Sequence, residues 1–183
     1  MKKTIIIAVL SNMFVLSTVQ ADGSGTINFS GKLNSQTCAA AVNGAANSAP
    51  ASITLPSVPI SMLSTNGNTA GQTKFTIDVT GCAQNASSGA DTVKASFNSS
   101  NADKNGYLTN TSTSDGATNV VLELIDGQDK SAIKVGSPSQ YNGNYVNIVD
   151  GKATLPYSVS YLATGAATAG NVQSNVTYIL IYK

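Results

Sequence analysis

The chain has 183 residues, enough for one domain and little more, and a formal net charge of +1 with no Arg and no His. Charged residues make up only 10%, well under the usual quarter or so. A near-neutral chain lacks the electrostatic footprint of a nucleic-acid binder. A chain without His lacks the commonest carrier of general acid–base chemistry.

The N-terminus opens on Lys2 and Lys3, followed by an apolar run over residues 5–16 that only Ser11 and Asn12 interrupt. Val19-Gln20-Ala21 then offers small residues at the spacing a signal peptidase reads. Residues 1–21 are expected to be a secretory signal peptide cleaved after Ala21. A membrane anchor is the competing reading. A bilayer core takes about 20 apolar residues, and this run is shorter. The processed chain would begin at Asp22 with a formal charge of −1.

Gly25, Ile27, Phe29, Gly31 and Leu33 share one face of a period-two segment. Alternation alone fits a first strand of the chain's own domain as well as a strand lent elsewhere. Cys38 and Cys82 both lie in the exported part, and an even count in an oxidising compartment reads as one disulfide. Closing a loop of that size contributes roughly 4 kcal/mol in the chain-entropy model. No His is available as a metal co-ligand.

Residues 39–51 and 83–90 are small and loop-like. Phe75, Ile77 and Val79 alternate with polar neighbours, as do Val93, Ala95 and Phe97. Val120 to Ile125 is more continuously apolar and reads as a deeply buried strand. Ala153, Leu155, Tyr157, Val159 and Tyr161 alternate again, after an Asp150-Gly151 turn that suggests a hairpin with residues 145–149. Asn66-Gly67, Asn105-Gly106, Asp126-Gly127 and Asn142-Gly143 are further turn signals, each allowing positive φ. No amphipathic helix stands out. Short strands at this spacing argue an all-β sandwich.

The chain ends Val176-Thr177-Tyr178-Ile179-Leu180-Ile181-Tyr182-Lys183, with Tyr182 penultimate and Gly170 fourteenth from the end. Together with the alternating N-terminal segment and the placement of Cys38 and Cys82, this set resembles the type 1 fimbrial subunit family of chaperone–usher pili, in the manner of a major subunit. The resemblance covers essentially the whole exported chain. It implies an incomplete immunoglobulin-like β-sandwich lacking its last strand, completed in trans by donor-strand exchange. It also implies three partners: a periplasmic pilus chaperone, an outer-membrane usher, and identical or related pilin subunits. Residues 22–34 would form the donor-strand extension, and 35–183 the pilin domain. Gly170, Val176, Tyr178, Leu180 and Tyr182 would belong to the chaperone and acceptor groove, assigned by their parity with Tyr182. Ile179 and Ile181 make the other face apolar as well, a departure from the family's usual alternation.

Catalytic signatures are missing from the sequence. Glu123 is the only Glu, within an apolar strand, and the Asp residues sit in turn-like contexts. There is no phosphate-binding Gly motif, HExxH or CxxC. The expectation is therefore no enzyme, no metal and no cofactor. Two classes remain: a secreted structural subunit of a cell-surface fimbrium that supports adhesion, or a carbohydrate-binding β-sandwich or minor tip-adaptor subunit. The short stretch from Ala21 to Leu33 leaves room for a strand and not for a lectin domain.

Overall fold

Two antiparallel sheets face each other, and the side chains between them are mostly those that the period-two pattern singles out. The computed structural model describes residues 38–45, 50–83 and 91–183, with Asn28 alone before them. The expected signal peptide and Gly25, Ile27, Phe29, Gly31 and Leu33 lie outside the described residues. The strands are β1 (Ala39–Val42), β2 (Thr69–Thr80), β3 (Thr92–Asn98), β4 (Leu108–Thr109), β5 (Val120–Asp126), β6 (Ala132–Ile133), β7 (Val146–Asn147), β8 (Ala153–Ala163) and β9 (Thr177–Tyr182). One sheet runs β1-β2-β8-β5-β4, with β6 also paired to β5; the other runs β7-β3-β9. Among the described residues the only helices are two short 3-10 turns, Ile60–Leu63 and Pro138–Asn142.

The core lies between the sheets. Phe75, Ile77 and Val79 of β2 oppose Tyr157, Leu155 and Ala153 of β8 in register, and all six are buried against Val93, Ala95 and Phe97 of β3. Phe97 meets Tyr157 edge-to-face, with ring centroids 4.9 Å apart, a favoured aromatic geometry. The Tyr157 hydroxyl does not go unpaired: it accepts from Ala95 N at 3.1 Å. Burial raises its pKa to about 12.

A proline sits in the middle of β8, which is flanked on both sides, and costs no ladder bond. Pro156 opposes Thr76, whose backbone groups are engaged on the β1 side: its N donates to Asn43 Oδ1 at 2.8 Å and its carbonyl accepts from Asn43 N at 3.0 Å. In an antiparallel ladder that turns Pro156's missing N–H toward β5. There β5 has ended at Asp126, and only Gly127 N approaches, donating to Pro156 O.

Four details differ from the sequence reading. Residues 39–42 form β1, paired with 77–80 of β2, although Ala-Ala-Ala-Val carries almost no strand signal; the disulfide beside it and the β2 edge set its place. Lys94 and Ser96 of β3 are buried rather than solvated, because the 138–142 turn and Tyr145 cover that face: Lys94 Nζ donates to Gln140 O and lies over the Tyr145 ring. Desolvation lowers the Lys94 pKa. The Asp150-Gly151 turn does close, with paired bonds between Val149 and Lys152 and φ of 50° and 69°. The arms then part to different sheets, β7 to β3 and β8 to β2 and β5. Gly67 and Gly106 take positive φ, whereas Gly127 and Gly143 do not.

Candidate functional site

The site begins as a question of hydrogen-bond direction along β9. Thr92 N donates to Lys183 O at 3.0 Å and Lys183 N donates to Thr92 O at 3.1 Å, which makes them a bonded pair of the β3–β9 ladder. Bonded and non-bonded pairs alternate. Tyr182, Leu180 and Tyr178, opposite Val93, Ala95 and Phe97, are therefore non-bonded toward β3 and turn their N–H and C=O groups to the far edge.

The pattern continues upstream of the strand. Asn171 and Gln173 are tied through their backbones to the 110–117 segment, by Asn171 N to Asp115 O, Ala117 N to Asn171 O and Thr111 N to Gln173 O. No partner appears among the described residues for the backbones of Val172, Ser174, Val176, Tyr178, Leu180 and Tyr182. The side chains obey the same parity. From 171 to 180 every even residue is half-buried and every odd one exposed. Val172, Val176, Tyr178, Leu180 and Tyr182 pack on the core, while Ile179 is 63% exposed. Burial raises the pKa of Tyr178 and of Tyr182.

Across from this edge runs the 50–58 segment, where Ile53, Leu55 and Val58 are half-buried and their neighbours exposed. It holds Pro50 and Pro56, which lack an N–H, and it joins no strand ladder. Between the two walls lies a cavity of about 650 Å³, floored by Phe75, Ile77, Phe97, Leu122, Leu124 and Val159. A second hollow of about 380 Å³ continues it past Leu55, Val58 and Tyr161 to Val172 and Gly170. Ser174 lines the larger cavity, and its Oγ is buried without a hydrogen-bond partner. The groove thus combines an apolar floor, one open ladder edge and one unpaired polar group.

Cys38 and Cys82 are bonded, with Cα atoms 4.5 Å apart, and the bridge closes the β1–β2 end of the first sheet. Gly170 has φ 153°, and a Cβ there would lie 2.5 Å from both Ala117 N and Asp115 O, so no side chain fits where the second wall crosses the 115–117 loop. Val176, Tyr178, Leu180 and Tyr182 line one edge together, and Gly170 stands at the edge's upstream end. The sequence reading missed the opposite wall. Ser52-Ile53-Thr54-Leu55 does alternate, but the run is too short, and too near prolines, to stand out.

The family model described as type-1 fimbrial protein, A, matches residues 55–183. The F17 fimbrial protein of Escherichia coli is 37% identical over 181 residues, covering 97% of each chain. The major fimbrial subunit SMF-1 of Stenotrophomonas maltophilia is 36% identical over 165 residues, 86% of this chain and 92% of that one. The fold is similar to that of the P pilus rod subunit PapA, with TM-score 0.58 and 20% identity over 79% of this chain and 99% of that one. A chaperone–usher pilus structure aligns with TM-score 0.61 and 20% identity, over 88% and 97% of the two chains.

Proposed function

This chain belongs to the type-1 fimbrial protein family, and from that premise we propose that it polymerises by donor-strand exchange, the groove of one subunit receiving residues 22–34 of the next. It is a structural subunit of a surface fimbrium and not an enzyme, and its sandwich is of the incomplete immunoglobulin-like kind. The observation that carries the proposal is the open edge of β9, with its backbone groups unpaired above an apolar cavity of about 650 Å³.

An incoming strand would supply ladder bonds to Val176, Tyr178, Leu180 and Tyr182 and alternate side chains to the floor, the β-augmentation mode of recognition. Its pairing partner is the β9 wall, whose open row of backbone groups borders the cavity. Ile27, Phe29 and Leu33 supply roughly 1.5–3 kcal/mol each, or about 4–9 kcal/mol together, before backbone pairing. Gly25 and Gly31 keep the same face free of side chains where the two backbones approach. An open apolar groove with unpaired edges is an aggregation hazard. A periplasmic chaperone therefore covers it first, and an outer-membrane usher presents the exchange. Residues 1–21 direct export, and 35–183 form the domain that is passed along.

The test mixes chaperone-bound subunit with a synthetic peptide of residues 22–34. Release of chaperone and a heat-resistant subunit–peptide complex is the expected result. A chain lacking residues 22–31 should still be captured by chaperone but should be unable to enter a preceding subunit. Fibres of normal length from that deletion, with no displacement by the peptide, would refute the proposal.

A further inference from the structure

The three-stranded sheet has a second edge that strand addition could use, and it is filled by side chains together with one backbone group, Gly136 N, which donates to Phe97 O at 3.0 Å. β7 pairs only with Thr92 and Val93 of β3, so β3 from Ala95 onward has no strand on the side away from β9. Ala95 N donates to the Tyr157 hydroxyl at 3.1 Å. Phe97 N donates to Gln140 Oε1 at 2.8 Å, and Gln140 Nε2 donates back to Phe97 O at 2.9 Å. A primary amide offers one acceptor and two donors, so it can stand in for the peptide group of a neighbouring strand. Gln140 is 7% exposed. Its backbone is anchored in the 138–142 turn, capped by Ser137 Oγ, which accepts from Ser139 N, and its carbonyl accepts from Lys94 Nζ.

We propose that Gln140, aided by Tyr157, is a specificity-determining residue for strand addition: it occupies the β3 edge so that only the β9 edge accepts a strand. The inference rests on the donor-strand reading. Unpaired edges template association indiscriminately, and a subunit with two accepting edges would branch or aggregate where one with a single edge makes a linear fibre. Nothing in the sequence around Gln140 marks it for this role, because its partners on β3 are 43 and more positions away.

The test counts bound 22–34 peptide per subunit by native mass spectrometry for the wild type, Gln140→Leu and Tyr157→Phe. Leucine keeps the bulk and loses both bonds; phenylalanine keeps the ring and leaves Ala95 N–H unpaired. The expected result is one peptide on the wild type and a second, weaker one on Gln140→Leu, with laterally clumped fibres from the variant. If Gln140→Leu does not fold, two readings remain. Tyr157→Phe should show the same second site more weakly. In the wild-type peptide complex the Phe97 amide should exchange hydrogen as slowly as its ladder neighbours Ser96 and Asn98. One peptide on every variant that folds, or fast exchange at Phe97, overturns the edge assignment alone. A wild type that takes no peptide sinks the donor-strand reading beneath it.

Discussion

The two walls of the groove bury the same kind of side chain, yet among the described residues only one belongs to a strand ladder. Ile53, Leu55 and Val58 on one wall and Val172, Val176, Tyr178 and Leu180 on the other are half-buried over a common floor. The second wall is held from behind by β3 and the 110–117 segment, which turns one row of its peptide groups toward the cavity. The first wall joins no strand ladder and has no strand behind it. Apolar alternation thus makes a surface sticky, whereas ladder support on the far side makes it selective.

Breaking the anchor of the first wall should have the largest effect. The Cys38–Cys82 bridge spans 44 positions that contain all of the 50–58 segment. Replacing both cysteines with Ala should cost roughly 4 kcal/mol, a large share of a small domain's stability. Urea unfolding of the chaperone-free, peptide-filled subunit would measure it, and a loss below about 1 kcal/mol would show that the first wall is held by packing instead.

Gly170→Val strikes the second wall where it crosses the 115–117 loop. Backbone atoms 2.5 Å from the new Cβ cannot move without dragging Asn171, to which Asp115 and Ala117 are bonded, so about 1–3 kcal/mol should be lost, with weaker peptide capture. Unchanged capture would detach this glycine from the groove.

A smaller effect separates the two faces of β9 itself. Leu180→Thr removes a half-buried apolar group and should cost about 1 kcal/mol or more, rising when the groove is filled. Ile179→Thr, on the exposed face, should stay within about 0.5 kcal/mol. Equal losses would mean that the strand's parity is not what selects the occupant.

The smallest effect is spectroscopic. Burial raises the folded-state pKa of Tyr178 and Tyr182 above the ordinary 10.0. Each phenol therefore contributes stability that is present below pH 10 and lost as pH rises through its folded pKa. Tyrosinate absorbance should show these two ionising later still when the peptide covers the groove, and Tyr182→Phe should remove one late step. A titration that the peptide leaves unmoved would place both phenols outside the covered region.

Much of this molecule was legible in its sequence. Phe75, Ile77 and Val79, and Leu155, Tyr157 and Val159, alternate with polar residues, and a strand half-buried in a sandwich has no other economical arrangement. The parity of Tyr182 assigns Val176, Tyr178 and Leu180 to one face because side-chain direction repeats every two residues whatever the partner strand. Two cysteines in an exported chain left one pairing to make.

Other features were decided only by tertiary structure. Which row of β9's peptide groups stays open depends on which side β3 binds, and that is settled by the Thr92–Lys183 pair 91 positions apart. Ala39–Val42 becomes a strand because a disulfide and the edge of β2 hold it there, against its weak propensity. Lys94 is buried because a distant turn closes over it, and Gln140 becomes the neighbour of Phe97 through a contact no local pattern announces. Period and composition are properties of a segment, so the sequence by itself carries them; edges, covers and plugs are relations between segments, and they exist only once the chain has folded.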